Sequence, residues 1–179
     1  MNNQLQNIDI HHFGHRVYDL WDNDWLLLTV GDYQKKHYNT MTVAWGGFGN
    51  MWDLPIAMVV VRPSRYTYEF INTYSTFTLC GFPEDYKDAL KVLGSTSGRD
   101  GDKIAASGLN LCPSMHVEAP VFAEAHMIVE CKKLYWDDFV PDHFLSPVIE
   151  KMYPSQDYHR MFFGKIVSVR GIAELFEIS

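Results

Sequence analysis

The feature that most restricts the fold is an apolar run, Leu54 to Val61, that stops at Arg62-Pro63-Ser64-Arg65. It is far shorter than the ~20 residues of a membrane helix and has the length of a buried strand. Pro55 fits the opening of a strand, where a missing N–H costs no ladder bond. From Ile56 to Val61 almost every residue is apolar, so the strand is expected to be covered on both faces. Its end delivers two arginines to one turn.

Most of the remaining chain also reads as strand. Trp25 to Val30 is a short apolar strand, Gly31 to His37 a polar turn, and Tyr38 to Trp45 a β-rich segment, so a hairpin is expected. Gly46, Gly47 and Gly49 then interrupt the pattern and permit close approach of backbone to a ligand. Ser64 suits the N-cap of a helix through about Asn72. Thr76 to Cys80 is a strand. Pro83 opens a helix over about Glu84 to Leu93, with Tyr86, Ala89, Leu90 and Leu93 on one face and Gly94 at its end. Asp100 or Asp102 caps a short helix through Ser107, stopped by Gly108. Val121 to Tyr135, bent or bulged, and Met161 to Val169 are the last strands. Strands outnumber helices, so a closed or partly closed antiparallel barrel with peripheral helices fits best.

The 179 residues favour one domain, 1–179, with an N-terminal arm over 1–20 and an insertion over 136–156 that carries a short helix near Phe144 to Met152. A formal net charge of −7 argues against general affinity for nucleic acid or an anionic membrane. Met1 to Asp9 is polar, without the apolar core of a secretory signal. Cys80, Cys112 and Cys131 are widely spaced and odd in number, and free thiols in a reducing cytoplasm are the economical reading.

Against this acidic background Arg62 and Arg65 bracket the passage from strand to helix. A helix start offers unpaired N–H groups and the positive end of a dipole. With the hydroxyls of Ser64 and Thr67 the turn suits a phosphate. A second cluster, Ser97-Gly98-Arg99-Asp100 with Lys103, is placed to close over the same anion, and together they indicate a small phosphorylated ligand. A solvated charge or an ion pair is the plainer alternative for each arginine. The Walker ending is absent, and no G-x-G-x-x-G follows a strand, so neither triphosphate hydrolysis nor a Rossmann site is signalled.

Trp45, Phe48, Trp52, Tyr66 and Tyr68 are either core or the walls of a slot for a flat ring. In the second case Asn39, Thr40 and Thr42 would add polar contacts. His159 follows Asp157 and precedes a strong strand. It is either a structural histidine or, with a pKa near ~6.5, a group that binds an anion or moves a proton. His11, His12 and His15 match no metal signature and read more simply as a surface arm, so no metal is expected. Ser95, Ser97 and the cysteines lack the setting of a nucleophile.

Four segments, in order, resemble the flavin reductase-like, FMN-binding split-barrel proteins, and their flavoredoxin-like members in particular. N-T-M-T-V-A-W-G-G at Asn39 to Gly47 resembles the segment beside the isoalloxazine. V-R-P-S-R-Y-T-Y-E-F-I at Val61 to Ile71 resembles the phosphate-binding turn. S-G-R-D-G-D-K at Ser97 to Lys103 resembles the second ligand loop, and D-Y-H-R-M-F-F-G-K-I-V at Asp157 to Val167 the strand whose histidine faces the nicotinamide. The resemblance implies a Greek-key split β-barrel, non-covalent FMN and a homodimer. It implies that Thr42 and Trp45, with the backbone between them, line the flavin ring. Arg62, Ser64, Arg65, Tyr66 and Thr67 would hold the phosphate, Ser97, Gly98, Arg99 and Lys103 would complete that site or touch a dinucleotide, and His159 would help place NAD(P)H. Ala44 stands where many relatives have serine, which removes one hydroxyl contact to the flavin. The implied activity is NAD(P)H-dependent reduction of FMN, with free flavin or a redox protein as acceptor. A flavoredoxin-like electron carrier and a flavin- or haem-breakdown-binding container are the alternatives.

Overall fold

The expected hairpin opens the main sheet of the computed structural model, which describes residues 5–10 and 17–172. A short strand β1 (Gln6–Ile8) and helix α1 (Val17–Asp19), which runs into a π-helical turn at Leu20–Asp24, precede it. Then come β2 (Leu26–Asp32), β3 (His37–Val43), β4 (Gly46–Met51), β5 (Leu54–Val61), α2 (Thr67–Thr73) and β6 (Thr76–Gly81). Helices α3 (Lys87–Ser95) and α4 (Lys103–Ser107), short strands β7 (Leu111–Cys112) and β8 (Val121–Phe122), and the long strand β9 (Met127–Asp138) follow. Helix α5 (Pro147–Glu150) and β10 (Arg160–Gly171) complete the described chain.

One antiparallel sheet runs in the order β3-β2-β6-β9-β10-β5-β4, with β1 also on β10; β7 and β8 form a separate ladder. Its two outer strands, β3 and β4, are consecutive in the chain and joined by Ala44 and Trp45 alone. Laid flat, they would lie roughly 29 Å apart at the usual strand spacing. The link reaches only about 11 Å. The sheet therefore curls into a barrel split between β3 and β4. Register shifts at Phe163/Gly164 and Ile166/Ser168 bend the long β9–β10 pair.

Two cores explain the strand composition. Leu26, Leu28 and Val30 of β2 pack with Val59, Val61, Phe77, Leu79, Val129 and Phe162. Leu27 faces the other way, onto Cys80, Leu90, Leu93, Phe122 and Ile128 under α3. Every residue of β2 is buried because both of its faces are covered. In β5, Ile56 to Val61 is buried except for half-buried Met58.

Local differences from the sequence reading have physical causes. The stretch from Gly46 is a strand, β4, paired with β5. A Cβ on Gly46 would meet the Trp21 ring at 2.4 Å, so glycine admits the indole. Trp52 and Asp53 both take φ 56°, the left-handed pair of a tight hairpin turn. Ser64 caps no helix, because its hydroxyl bonds Asp157 and α2 starts three residues later. Gly94 lies inside α3, which ends at Ser95. Asp102, not Asp100, caps α4 by accepting from the Ala105 N–H at 3.0 Å. Val121 to Tyr135 is two strands, β8 and β9, and β9 continues to Asp138. Only Pro147–Glu150 of the expected later helix is α-helical.

Candidate functional site

The strand end at Val61 places the arginine turn beside the split. Pro63 has no N–H, so the ladder stops, and the chain turns with the Arg65 N–H bonded to the Arg62 carbonyl at 3.0 Å. Two adjoining cavities lie along β3. One, of about 170 Å³, is lined by Met41 to Trp45, Val60, Arg62, Arg65 and His159. The other, of about 80 Å³, is lined by Asn39, Met41, Ser64 to Thr67, Leu93 to Ser97 and Lys103. Met41 and Arg65 belong to both and mark their junction.

The smaller cavity has the chemistry of an anion site. Lys103 is 7% exposed, and its Nζ donates to the Leu93 carbonyl at 2.9 Å and the Thr96 carbonyl at 3.1 Å. An ammonium has three N–H groups, so one remains for a ligand. Burial, reinforced by the nearby Arg65 charge, lowers the Lys103 pKa to about 8. An anion between the two cations would relieve that repulsion. Asn39, also buried, donates to the Thr67 hydroxyl at 2.7 Å. A Cβ at Gly98 would stand 2.4 Å from the Asn39 side-chain oxygen, so the second loop closes this tightly only with glycine there.

The larger cavity has more apolar lining. Met41, Val43, Ala44, Trp45 and Val60 give it apolar walls, and the backbone linking β3 to β4 crosses it. Arg62 is held rather than free. One terminal nitrogen lies 2.6 Å from Asp157, the other donates to the Met152 carbonyl at 2.9 Å, and the guanidinium covers the Tyr153 ring. Burial pushes the Asp157 carboxyl up, but hydrogen bonds from Ser64 and Arg62 outweigh it and keep the pKa below the usual value. His159 is 8% exposed. Burial first, then the Arg62 charge, lowers its pKa to about 4, partly offset by Asp157. The imidazole is therefore neutral at pH 7, and the near-6.5 behaviour expected from sequence is displaced.

Of the residues singled out in the sequence, Asn39, Thr42, Ala44, Trp45, Arg62, Ser64, Arg65, Tyr66, Thr67, Ser97, Lys103 and His159 line one or both cavities. Thr40 does not; it is buried with its hydroxyl on the Leu28 carbonyl at 3.0 Å. Thr42 lines the larger cavity, yet its hydroxyl is engaged by the Leu90 carbonyl. Arg99 lies outside both, over the Tyr66 ring and paired with Glu69. Phe48 packs on Trp21, Trp52 on Tyr135 and Phe163, and Tyr68 faces Arg160. Sequence reasoning missed Met41, hidden in an alternating strand, and Tyr153, a single aromatic in a polar stretch with no periodicity around it. Among the described residues no group of three or more His, Cys, Asp or Glu is arranged to hold a metal. His11, His12 and His15 lie outside the described residues. No helix among the described residues is long and apolar enough to cross a membrane.

Comparison with known proteins bears on the family and the fold. The family described as flavin reductase like domain matches residues 25–177. The protein YddH of Escherichia coli (strain K12), described as uncharacterized, is 28% identical over 151 residues, covering 84% of this chain and 71% of that one. An FMN-binding domain of a flavin reductases-like enzyme from Shewanella baltica superposes with a TM-score of 0.71 at 18% identity, covering 99% of this chain and 82% of its own. Flavoredoxin of Desulfovibrio vulgaris (Miyazaki F) gives 0.65 at 24% identity, with 90% and 75% covered. At these identities the superpositions speak to the fold, a mainly β split barrel with short helices.

Proposed function

The chain belongs to the flavin reductase-like domain family, and on that premise we propose that it binds FMN non-covalently and moves electrons from NAD(P)H to free flavin or a redox protein. The observation that carries this reading is the joined pair of cavities, one walled by Met41, Val43, Ala44, Trp45 and Val60 with Arg62, Arg65 and His159 at its polar side, one cationic and hydroxyl-lined. The residues fit the cofactor. Arg65, Ser97 and Lys103 suit its phosphate, and the Val43–Trp45 backbone with Met41 and Val60 suits its ring system. FMN when bound supplies two-electron chemistry that no side chain here offers. The protein's share is to orient the ring, exclude water from the Met41–Val60 side, and present His159 as a neutral hydrogen-bonding group.

A carrier without useful NAD(P)H turnover is the second reading. Trp45, 40% exposed, leaves the mouth of the larger cavity open enough for a protein acceptor. Anaerobic mixing with NADH and NADPH separates the two. Prompt bleaching of flavin absorbance supports the reductase, and persistent oxidised absorbance supports the carrier. Failure to take up FMN in excess ends both.

We also propose a homodimer. Trp52 and Tyr135, 54% and 44% exposed, meet each other and Phe163 in an aromatic cluster at the surface, a kind of surface that marks interaction sites. The proposed location is the cytoplasm, with residues 1–179 acting as one domain. No nucleic-acid or membrane partner is proposed.

A further inference from the structure

The segment joining β9 to β10 adds no strand to the barrel; its last residue, His159, lines the larger cavity, and Tyr153 of the same segment stands behind it. Tyr153 is 4% exposed. Its hydroxyl lies 2.8 Å from Nδ1 of His159, and its ring lies beneath the Arg62 guanidinium at 4.8 Å. The Trp45 ring at 5.0 Å and the Phe139 ring at 6.4 Å also lie against the imidazole, and the charges of Arg62, Arg65 and Asp157 act on it. Among the described residues Tyr153 is its hydrogen-bond partner at Nδ1, which leaves Nε2 for the cavity that His159 lines.

A neutral imidazole has one donor and one acceptor nitrogen, and the partner at one fixes the role of the other. Burial raises the Tyr153 pKa, so the phenol keeps its proton. Among the described residues Nδ1 of His159 is the hydrogen-bond partner of that hydroxyl, and donation from Nδ1 to the phenol would leave the buried phenol proton without a partner.

We propose that Tyr153 is a positioning residue that donates to Nδ1 of His159 and so fixes the imidazole proton on Nε2, where it serves the cavity as an uncharged hydrogen-bond donor. Such a donor suits a carbonyl or amide oxygen on a planar heterocycle, and unlike an imidazolium it adds no positive charge of its own to the cavity. The choice of ligand rests on the FMN and NAD(P)H reading; the tautomer does not.

The test begins with the long-range ¹⁵N–¹H spectrum of histidine-labelled protein without flavin, with His159→Ala to assign the signal. The expected pattern between pH 6 and 8 is a protonated Nε2 and a bare Nδ1. Tyr153→Phe keeps the ring and removes the hydroxyl, so it is expected to give a mixture of tautomers. With FMN bound, KM for NADH in the same variant is expected to rise in inverse proportion to the remaining Nε2-protonated fraction, about twofold for an equal mixture, while the FMN Kd is unchanged. A wild-type spectrum with Nδ1 protonated overturns the proposal, as does an unchanged tautomer in Tyr153→Phe. If that variant fails to fold, the wild-type spectrum decides alone. The expected tautomer in a protein that binds no FMN upholds the role of Tyr153 and removes the flavin reading.

Discussion

Replacing Lys103 by methionine separates ligand binding from folding. Methionine refills the apolar path of the lysine stem without its charge. The lysine pKa falls from 10.5 to about 8 on folding, so holding the ammonium there costs up to about 3 kcal/mol relative to water. Loss of its two charge-assisted bonds to the Leu93 and Thr96 carbonyls takes away about 3–6 kcal/mol. The relief of burial offsets half or more of that, and the ligand-free variant is expected to fold and to melt at most about ten degrees below wild type. The phosphate contact has no such offset. A hydrogen bond to a charged group contributes about 1.5–3 kcal/mol, so FMN Kd is expected to rise about 10- to 100-fold at pH 7. The sign of the pH dependence follows from the lowered pKa. The ligand-free cation is present below about pH 8 and lost above it, so wild-type affinity falls as pH rises from 8 to 10, by at most about tenfold per unit. The variant's affinity is flat over that range. Flavin fluorescence titrations at several pH values measure both. Wild-type affinity in the variant, or an identical pH profile, would refute the placement of the phosphate beside Lys103.

Gly98→Ala puts a carbon 2.4 Å from the Asn39 oxygen and is expected to destabilise by about 1–3 kcal/mol and weaken FMN binding, seen in melting curves and titrations together. Arg62→Ala leaves Asp157 without its cation and is expected to lose about 1–3 kcal/mol in urea unfolding, besides any loss of flavin affinity. Asp157 has a depressed folded pKa, so its clamp contributes above about pH 4 and is lost as pH falls through the folded value. Wild type and Asp157→Asn should therefore differ at pH 7 and converge in strong acid. Trp52→Glu is expected to shift the protein from dimer to monomer by light scattering, with the barrel's circular dichroism unchanged.

The strand pattern was legible because burial writes it directly into the residues. Leu26 to Val30 is continuous because β2 has a core on each face, and Pro63 announces the end of β5. The arginine turn was legible for the same reason, since charge after an apolar run has to emerge somewhere. What stayed hidden was set by partners distant in sequence. Ser64 looks like a cap until Asp157, brought back by β10, takes its hydroxyl. Thr40 looks like a ligand contact until its pairing with Thr29 shows which way it faces. The glycines after Trp45 look like a break until Trp21 fills the space above Gly46. Tyr153 carries no local signal at all, because its role exists only in relation to His159 and Arg62.

The split between β3 and β4 has one more consequence. Edge strands keep backbone N–H and C=O groups that a closed barrel would have paired, and here the two edges meet at Ala44 and Trp45. A heterocycle whose rim alternates donors and acceptors can sit in that seam as a surrogate strand, recognised by main chain instead of side chains. Recognition of that kind is indifferent to side-chain identity, so drift at Ala44 would alter the tuning of a bound ring more readily than its retention. On the proposed FMN reading the gap in the barrel would serve as a socket cut to the shape of a hydrogen-bond ladder.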